Sequence, residues 1–243
     1  MIIDIHTHIP AKKVGKILAE VHRLGISKVV NLGTGYPSTT PEQVAASNNE
    51  TMRLARQYPA AIIGFCFLNP NHEKSFLLKE ITRCVEKGNL KGIKLWVAVN
   101  ARSKKLDPIM EACAGLNIPV LHHAWHKTVG KALDESSPAD IADLAGRHPK
   151  TKIIMAHMTG CGPRGILDIR PCPNVYVDTS GSQPFAGMVE YAVEKLGAER
   201  ILYGSDAPIR DFSCQLGRIY GAKISRHDRE LILGLNAKKL LQL

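Results

Sequence analysis

Several things are scarce in this chain, and each scarcity removes a class of protein. The six cysteines (Cys66, Cys84, Cys113, Cys161, Cys172, Cys214) are scattered, with no CxxC and no finger-like spacing. A structural disulfide framework or a zinc finger is therefore not expected. Cys161 and Cys172 fall in predicted loops, where more exposure is expected. Aromatic residues are only 5% of the chain, which argues against a stacking platform for single-stranded nucleic acid. No apolar run approaches the roughly 18 residues of a membrane span. The start of the chain enters a strand pattern directly, without the basic, apolar and small-residue series of a signal peptide. A cytoplasmic protein that binds neither nucleic acid nor membrane is the expectation. Linkers, low-complexity stretches and a second domain are also missing from the pattern. The Gly33-x-Gly35 pair lacks the third glycine of a dinucleotide loop.

What remains is ordinary globular material: 243 residues, 44% hydrophobic and 22% charged, with a formal net charge of +10. Most of the excess charge sits on predicted helix faces, on Lys12, Lys13 and Lys16 and on Lys223, Arg226, Arg229, Lys238 and Lys239. Solvated faces explain it, with some steering of an acidic small-molecule substrate.

Short β-branched runs alternate with helical patterns from end to end. Strands are predicted near 2–6, 28–33, 61–68, 91–96, 119–123, 152–157, 174–179 and 200–205. Helices are predicted near 11–24, 42–57, 72–87, 105–116, 138–147, 185–196 and 214–242. The Gly- and Pro-rich connection from Gly160 to Pro173 predicts a short or missing helix. Pro41 and Pro59 bracket one helix, and Gly88, Gly146 and Gly197 stand at helix ends. Continuously apolar strands such as Ala61–Phe65 fit a parallel sheet covered by helices. Eight β/α units in about 250 residues point to a single-domain (β/α)8 TIM barrel over 1–243, with an open doubly wound sheet as the alternative.

Metal-type ligands fall at the ends of separate predicted strands. Asp4-Ile5-His6-Thr7-His8 opens the chain, His122-His123 closes the fifth strand, His157 ends the sixth and Asp206 ends the eighth. The two-residue period of a strand makes His6 and His8 point the same way. Ligands from strands one, five, six and eight meet at one mouth only in a closed barrel, which describes an open catalytic metal site.

At these residues the chain resembles the amidohydrolase superfamily, in the amidohydrolase-related branch that includes aminocarboxymuconate-semialdehyde decarboxylase. The segments that carry the resemblance are Ile3–His8, Gly92-Ile93-Lys94-Leu95, Pro119–His123, Ala156–Gly160, Gly204–Pro208 and the terminal Asn236–Leu241. The resemblance implies His6, His8, His123 and Asp206 as metal ligands. By family spacing it selects His123 over His122. It implies catalytic roles for His157, which holds a water or a metal, and for Asp206, which passes a proton to the leaving group. Asp4 is read as a buried carboxylate that orients an imidazole, and an N-cap role after strand eight is the plain alternative for Asp206.

Lys94 stays open between a carboxylated bridge to a second metal, a cationic substrate contact and a strand-end lysine. Trp125, His126 and Arg164 are further substrate candidates, as are Tyr36 and Arg102. One Zn²⁺ is expected, with Mn²⁺ compatible with the nitrogen and oxygen donors. The leading expectation is a metal-dependent hydrolase acting on an ester, lactone or amide of a small anionic substrate. The alternative, kept alive by Asp-x-His-x-His and by His123-Ala124-Trp125, is decarboxylation of a small unsaturated or aromatic acid. Relatives in this branch often form dimers, so a homodimer is among the expectations.

Overall fold

The structure, a computed structural model, describes residues 1–33 and 35–243. It runs β1 (Ile3–Thr7), α1 (Val14–Arg23), β2 (Lys28–Asn31), α2 (Pro41–Gln57), β3 (Ile62–Gly64), β4 (Cys66–Phe67), α3 (Lys74–Ile81) and β5 (Ile93–Leu95). It continues with α4 (Asp107–Leu116), β6 (Val120–His122), α5 (Pro138–Arg147), β7 (Ile153–Met155), α6 (Met158–Ile169), β8 (Val175–Asp178), α7 (Met188–Leu196) and β9 (Ile201–Leu202). The chain ends with α8 (Phe212–Tyr220), α9 (Arg226–Glu230) and α10 (Asn236–Leu241).

Every ladder is parallel, and the strands follow chain order in two sheets, β1-β2-β3 and β4 through β9. β3 and β4 are the two halves of one expected strand. Phe65 divides them, its N–H bonded to Asn31 O at 2.9 Å, while Cys66 N–H turns to Gly92 O at 2.8 Å. The first and last strands meet without a regular ladder. Ile5 N donates to Tyr203 O (2.9 Å), Asp206 N to His6 O (2.8 Å) and His8 N to Ala207 O (2.7 Å). The architecture is thus the (β/α)8 barrel, with irregular pairing at these two seams.

Alternation along the strands separates two apolar layers. Val29, Ile62, Ile93, Val120, Ile153, Val175 and Ile201 pack outward in one cluster with residues of the surrounding helices, such as Ile109, Ile141 and Ile219. Val30, Ile63, Leu121, Ile154 and Leu202 pack in a second cluster, the barrel interior, which Ala237, Leu240 and Leu241 of α10 close from below. Burial of these side chains is the main stabilising contribution, at about 1.5–3 kcal/mol for each large one.

Ile3 and Ile5 belong to the inner cluster, so a regular strand would turn His6 away from it. The register of β1 against β2 shifts between Asp4 and Thr7. Beyond that irregularity His6 and His8 line the cavity at the barrel mouth. Irregular strands re-aim side chains in this way beside functional sites.

Local chemistry sets the helix starts. Thr40 and Gln43 form a capping box before α2, with Pro41 in the first turn. Ser137 and Asp140 do the same for α5, with Pro138 in the first turn.

Three expectations need correction. The 160–173 connection carries a full helix, α6, which bends at Gly162 where the backbone is non-helical (φ 67°). Pro163 then opens the second part, where its missing N–H costs nothing. The single helix expected over 214–242 is broken into α8, α9, a π-helical turn at Leu231–Leu235 and α10. Cys161 is buried within α6 rather than exposed, while Cys172 is half-buried and Cys214 is the exposed thiol. No helix among the described residues is long and apolar enough to cross a membrane.

Candidate functional site

The strand ends β1, β5, β6 and β7, with the segment after β9, surround one cavity of about 410 Å³. His6, His8, Lys94, His123, Trp125, His157 and Asp206 all line it. Asp206 Oδ1 lies 3.5 Å from His6 Nε2 and 3.6 Å from His8 Nε2. These three donor atoms form a group suited to a metal ion. His6 Nε2 is buried with no hydrogen-bond partner among the described residues, a costly state for a polar atom unless an ion or ligand completes it.

The other nitrogen of each imidazole is engaged. His6 Nδ1 is 2.7 Å from Asp178 Oδ2, and His8 Nδ1 is 2.8 Å from Gly33 O. An acceptor at Nδ1 places the proton there and leaves the Nε2 lone pair for the cavity. Burial supports this neutral form: it lowers His6 well below the usual imidazole range and takes His8 down to about 4. The donor set therefore fits a divalent cation that accepts imidazole and carboxylate ligands.

His123 stands beside this group rather than in it. Its Nδ1 is 3.1 Å from His157 Nε2, and its Nε2 is 2.8 Å from Glu135 Oε1. His157 Nδ1 is 2.8 Å from Ser180 Oγ, and burial holds this imidazole too well below its ordinary pKa. His122 faces away from the cavity, with Nδ1 2.7 Å from His123 O.

Two site residues, His157 (φ 69°) and Asp206 (φ 64°), occupy the left-handed region. That conformation is unfavourable for residues with a Cβ, and it concentrates at functional sites. Asp211, not Asp206, caps α8, so the N-cap alternative for Asp206 does not apply.

Burial also tunes the two charged groups facing the ring cluster. It pushes the Asp206 carboxyl up to about 7, against the pull of Lys94. It brings the Lys94 ammonium down to about 8, against the attraction of Asp206 and Asp178. Asp4 is buried away from the metal group; its Oδ1 accepts from His6 N and Ser205 N, each at 3.0 Å, and burial raises it to about 7.

Trp96, Trp125, Tyr36 and Phe67 supply the apolar walls of the cavity. Tyr36 meets Trp96 edge-on at 5.9 Å between ring centroids. Gly160 leaves room for Trp125: a Cβ there would lie 2.7 Å from the indole.

Two substrate candidates lie elsewhere. Arg164 is on an exposed face of α6, paired with Asp168 at 3.0 Å, and His126 is exposed outside the cavity. Arg102 pairs with Asp140 rather than facing the cavity. The sequence reading passed over Asp178, Ser180, Glu135 and Trp96. Asp178 was findable, since it ends β8 at the functional face, where His157 follows β7 and Asp206 follows β9.

The family model described as Amidohydrolase matches residues 3–243. No curated protein sequence matches the chain. Among solved structures, it is similar to a dihydroxybenzoic acid decarboxylase from Polaromonas sp. JS666 with bound manganese and the inhibitor 2-nitroresorcinol (17% identity, 100% of this chain and 97% of that chain, TM-score 0.78). It is also similar to a 2,6-dihydroxybenzoate decarboxylase from Rhizobium (16% identity, 99% and 98%, TM-score 0.79). A third is a 5-carboxyvanillate decarboxylase from Novosphingobium aromaticivorans DSM 12444, complexed with manganese and 4-hydroxy-3-methoxy-5-nitrobenzoic acid (16% identity, 94% and 80%, TM-score 0.78). The reactions named for these structures are decarboxylations. They overturn the expectation of an ester, lactone or amide hydrolase and favour its alternative.

Proposed function

The chain belongs to the amidohydrolase family, and from that premise we propose that it is a divalent-metal-dependent decarboxylase of a small, planar, aromatic or unsaturated carboxylic acid. The observation that carries this reading is the composition of the cavity. An imidazole–carboxylate face with the partnerless His6 Nε2 lies in one cavity with a buried lysine and a wall of Trp96, Trp125 and Tyr36. Indole walls suit a planar ring, and a buried cation suits its carboxylate.

His6, His8 and Asp206 would hold the metal, with His123 at the edge of the group. Manganese, bound in two of the related decarboxylases, replaces zinc as the expected ion. The ion would supply positive charge that orients the acid and stabilises negative charge developing on it. A single ion is expected, because the second group close enough to hold one, His6, His157 and Asp178, shares His6 with the first and has its carboxylate already saturated. Asp178 Oδ2 serves His6, while Oδ1 accepts from His157 N, Ser180 N and Ser180 Oγ. Lys94 accordingly acts as a cationic substrate contact rather than a carboxylated bridge.

The chain's own residues supply the rest. Trp96 and Trp125 position the ring and exclude water, and Lys94 binds the carboxylate. Asp206, which lines the cavity, donates a proton to the ring carbon that bears the carboxylate. The bond from that carbon to the carboxylate then breaks, its electron pair restores the ring, and CO₂ leaves. Water returns the proton to Asp206, and His157 remains a neutral imidazole in the same cavity.

The test is to incubate Mn²⁺-reconstituted protein with a panel of hydroxylated benzoic acids and with a parallel panel of esters and lactones. Chromatography should show decarboxylated rings from the acids alone. Turnover confined to the esters or lactones would refute the proposal.

A further inference from the structure

Glu135 is a carboxylate buried in the segment that joins β6 to α5, apart from the His6–His8–Asp206 group. Its Oε1 is 2.8 Å from His123 Nε2 and 2.8 Å from Lys127 Nζ, and its Oε2 accepts Ala132 N at 3.2 Å. Lys127 Nζ in turn lies 5.4 Å from the centre of the Trp125 ring. The Trp125 ring stacks on His123 at 6.2 Å with 20° between planes. One buried carboxylate thus ties together a cavity imidazole, a cavity wall and the strap that carries both.

The donor count along this line is restrictive. An ionised carboxylate only accepts, so His123 must carry its proton on Nε2. A neutral imidazole has one N–H, which leaves Nδ1 bare, 3.1 Å from His157 Nε2. From the other end, Ser180 makes a very short hydroxyl contact to Asp178 Oδ1. Its single hydroxyl proton is spent there, so its oxygen accepts from His157 Nδ1. His157 Nε2 is then bare as well. Two carboxylates, acting through opposite ends of the line, aim two lone pairs at each other.

We propose that Glu135 is a positioning residue that fixes His123 as the Nε2–H tautomer and presents its Nδ1 lone pair to His157 and the cavity. This assignment is independent of the reaction proposed above and holds whichever acid is consumed.

The experiment uses metal-free, ¹⁵N-histidine-labelled full-length protein without substrate, with H123Q to assign the His123 signals. Long-range ¹H–¹⁵N correlations distinguish a protonated from a bare ring nitrogen. Wild type should show His123 with Nε2 protonated and Nδ1 bare. E135Q, whose side-chain oxygen still accepts, should keep that pattern. E135A should lose the single tautomer and show exchange between both. A wild-type ring protonated on Nδ1 would overturn the proposal by itself, even if E135A failed to fold. An unchanged single tautomer in folded E135A would overturn it equally. Neither result bears on decarboxylation, so the two proposals fail separately.

Discussion

The side chains of the cavity carry separable tasks. If Asp206 donates the proton, D206N should lower turnover by about 10²–10⁴-fold, the usual reach of general acid catalysis. The same variant should also weaken metal binding, since Asp206 Oδ1 faces both His6 and His8. Lys94 is assigned to the substrate carboxylate, so K94M should act chiefly on KM. A lost charge-assisted hydrogen bond costs about 1.5–3 kcal/mol, or roughly 10–100-fold, readable in steady-state kinetics. A third change probes the wall. In G160A the new Cβ must displace the Trp125 indole, which sits 2.7 Å from that position. KM for a ring substrate should rise while the far-UV circular dichroism stays unchanged.

Much of this was legible in the chain. The ligand positions at strand ends brought His6, His8, His123, His157 and Asp206 to one cavity. Residues that act on them were hidden. Ser180 and Glu135 lie outside the strands, and only the folded path brings Glu135 against a ring twelve residues away. Arg164 failed as a substrate candidate because α6 turns it outward to Asp168, an i,i+4 pairing that its helical setting favours.

At the scale of elements, the strands were readable because parallel, doubly buried strands are continuously apolar. The departures come where local chemistry permits two outcomes. Glycine and proline in the sixth connection were taken as helix breakers, yet Pro163 sits where a proline starts a helical segment and Gly162 supplies the bend. That bend makes a prediction. A side chain at Gly162 would meet Phe185 at an ordinary contact distance of 3.6 Å, but the φ of 67° disfavours any Cβ. G162A should therefore destabilise the fold by about 1–3 kcal/mol in urea titration through backbone strain rather than collision.

The start of α5 supplies a pH-dependent test. Asp140 accepts Ser137 N, Ser137 Oγ, Asn100 Nδ2 and Arg102 Nε. Burial works against its ionised form, but these donors prevail and hold the carboxyl down at about 2. A folded-state pKa below the unfolded value of about 3.9 contributes stability above that value and loses it as pH falls. D140N should cost about 1–2 kcal/mol at pH 7, after discounting for solvent screening. Its deficit relative to wild type should vanish between about pH 4 and pH 2.

For the whole molecule, the barrel is the reason that residues from opposite ends of the sequence act together. His6 and Asp206 are joined across the seam where Asp206 N bonds His6 O at 2.8 Å. A bound ion would clamp that same seam through side chains, so metal occupancy should couple to global stability. At a hundredfold excess of Mn²⁺ over its dissociation constant, binding contributes about 2.7 kcal/mol. For a chain of this size that corresponds to about 5–10 °C in Tm. Chelation should remove the increment, and D206N should show little of it.

The central claim is that this cavity removes a carboxylate as CO₂. The measurement that tests it most directly is the release of labelled CO₂ from carboxyl-labelled hydroxybenzoic acids by Mn²⁺-loaded protein, by chelated protein and by D206N. Release is expected with one proton gained by the ring for each CO₂, lost on chelation and lost in D206N. Metal-dependent turnover of an ester or lactone panel with no labelled CO₂ from any acid would contradict it.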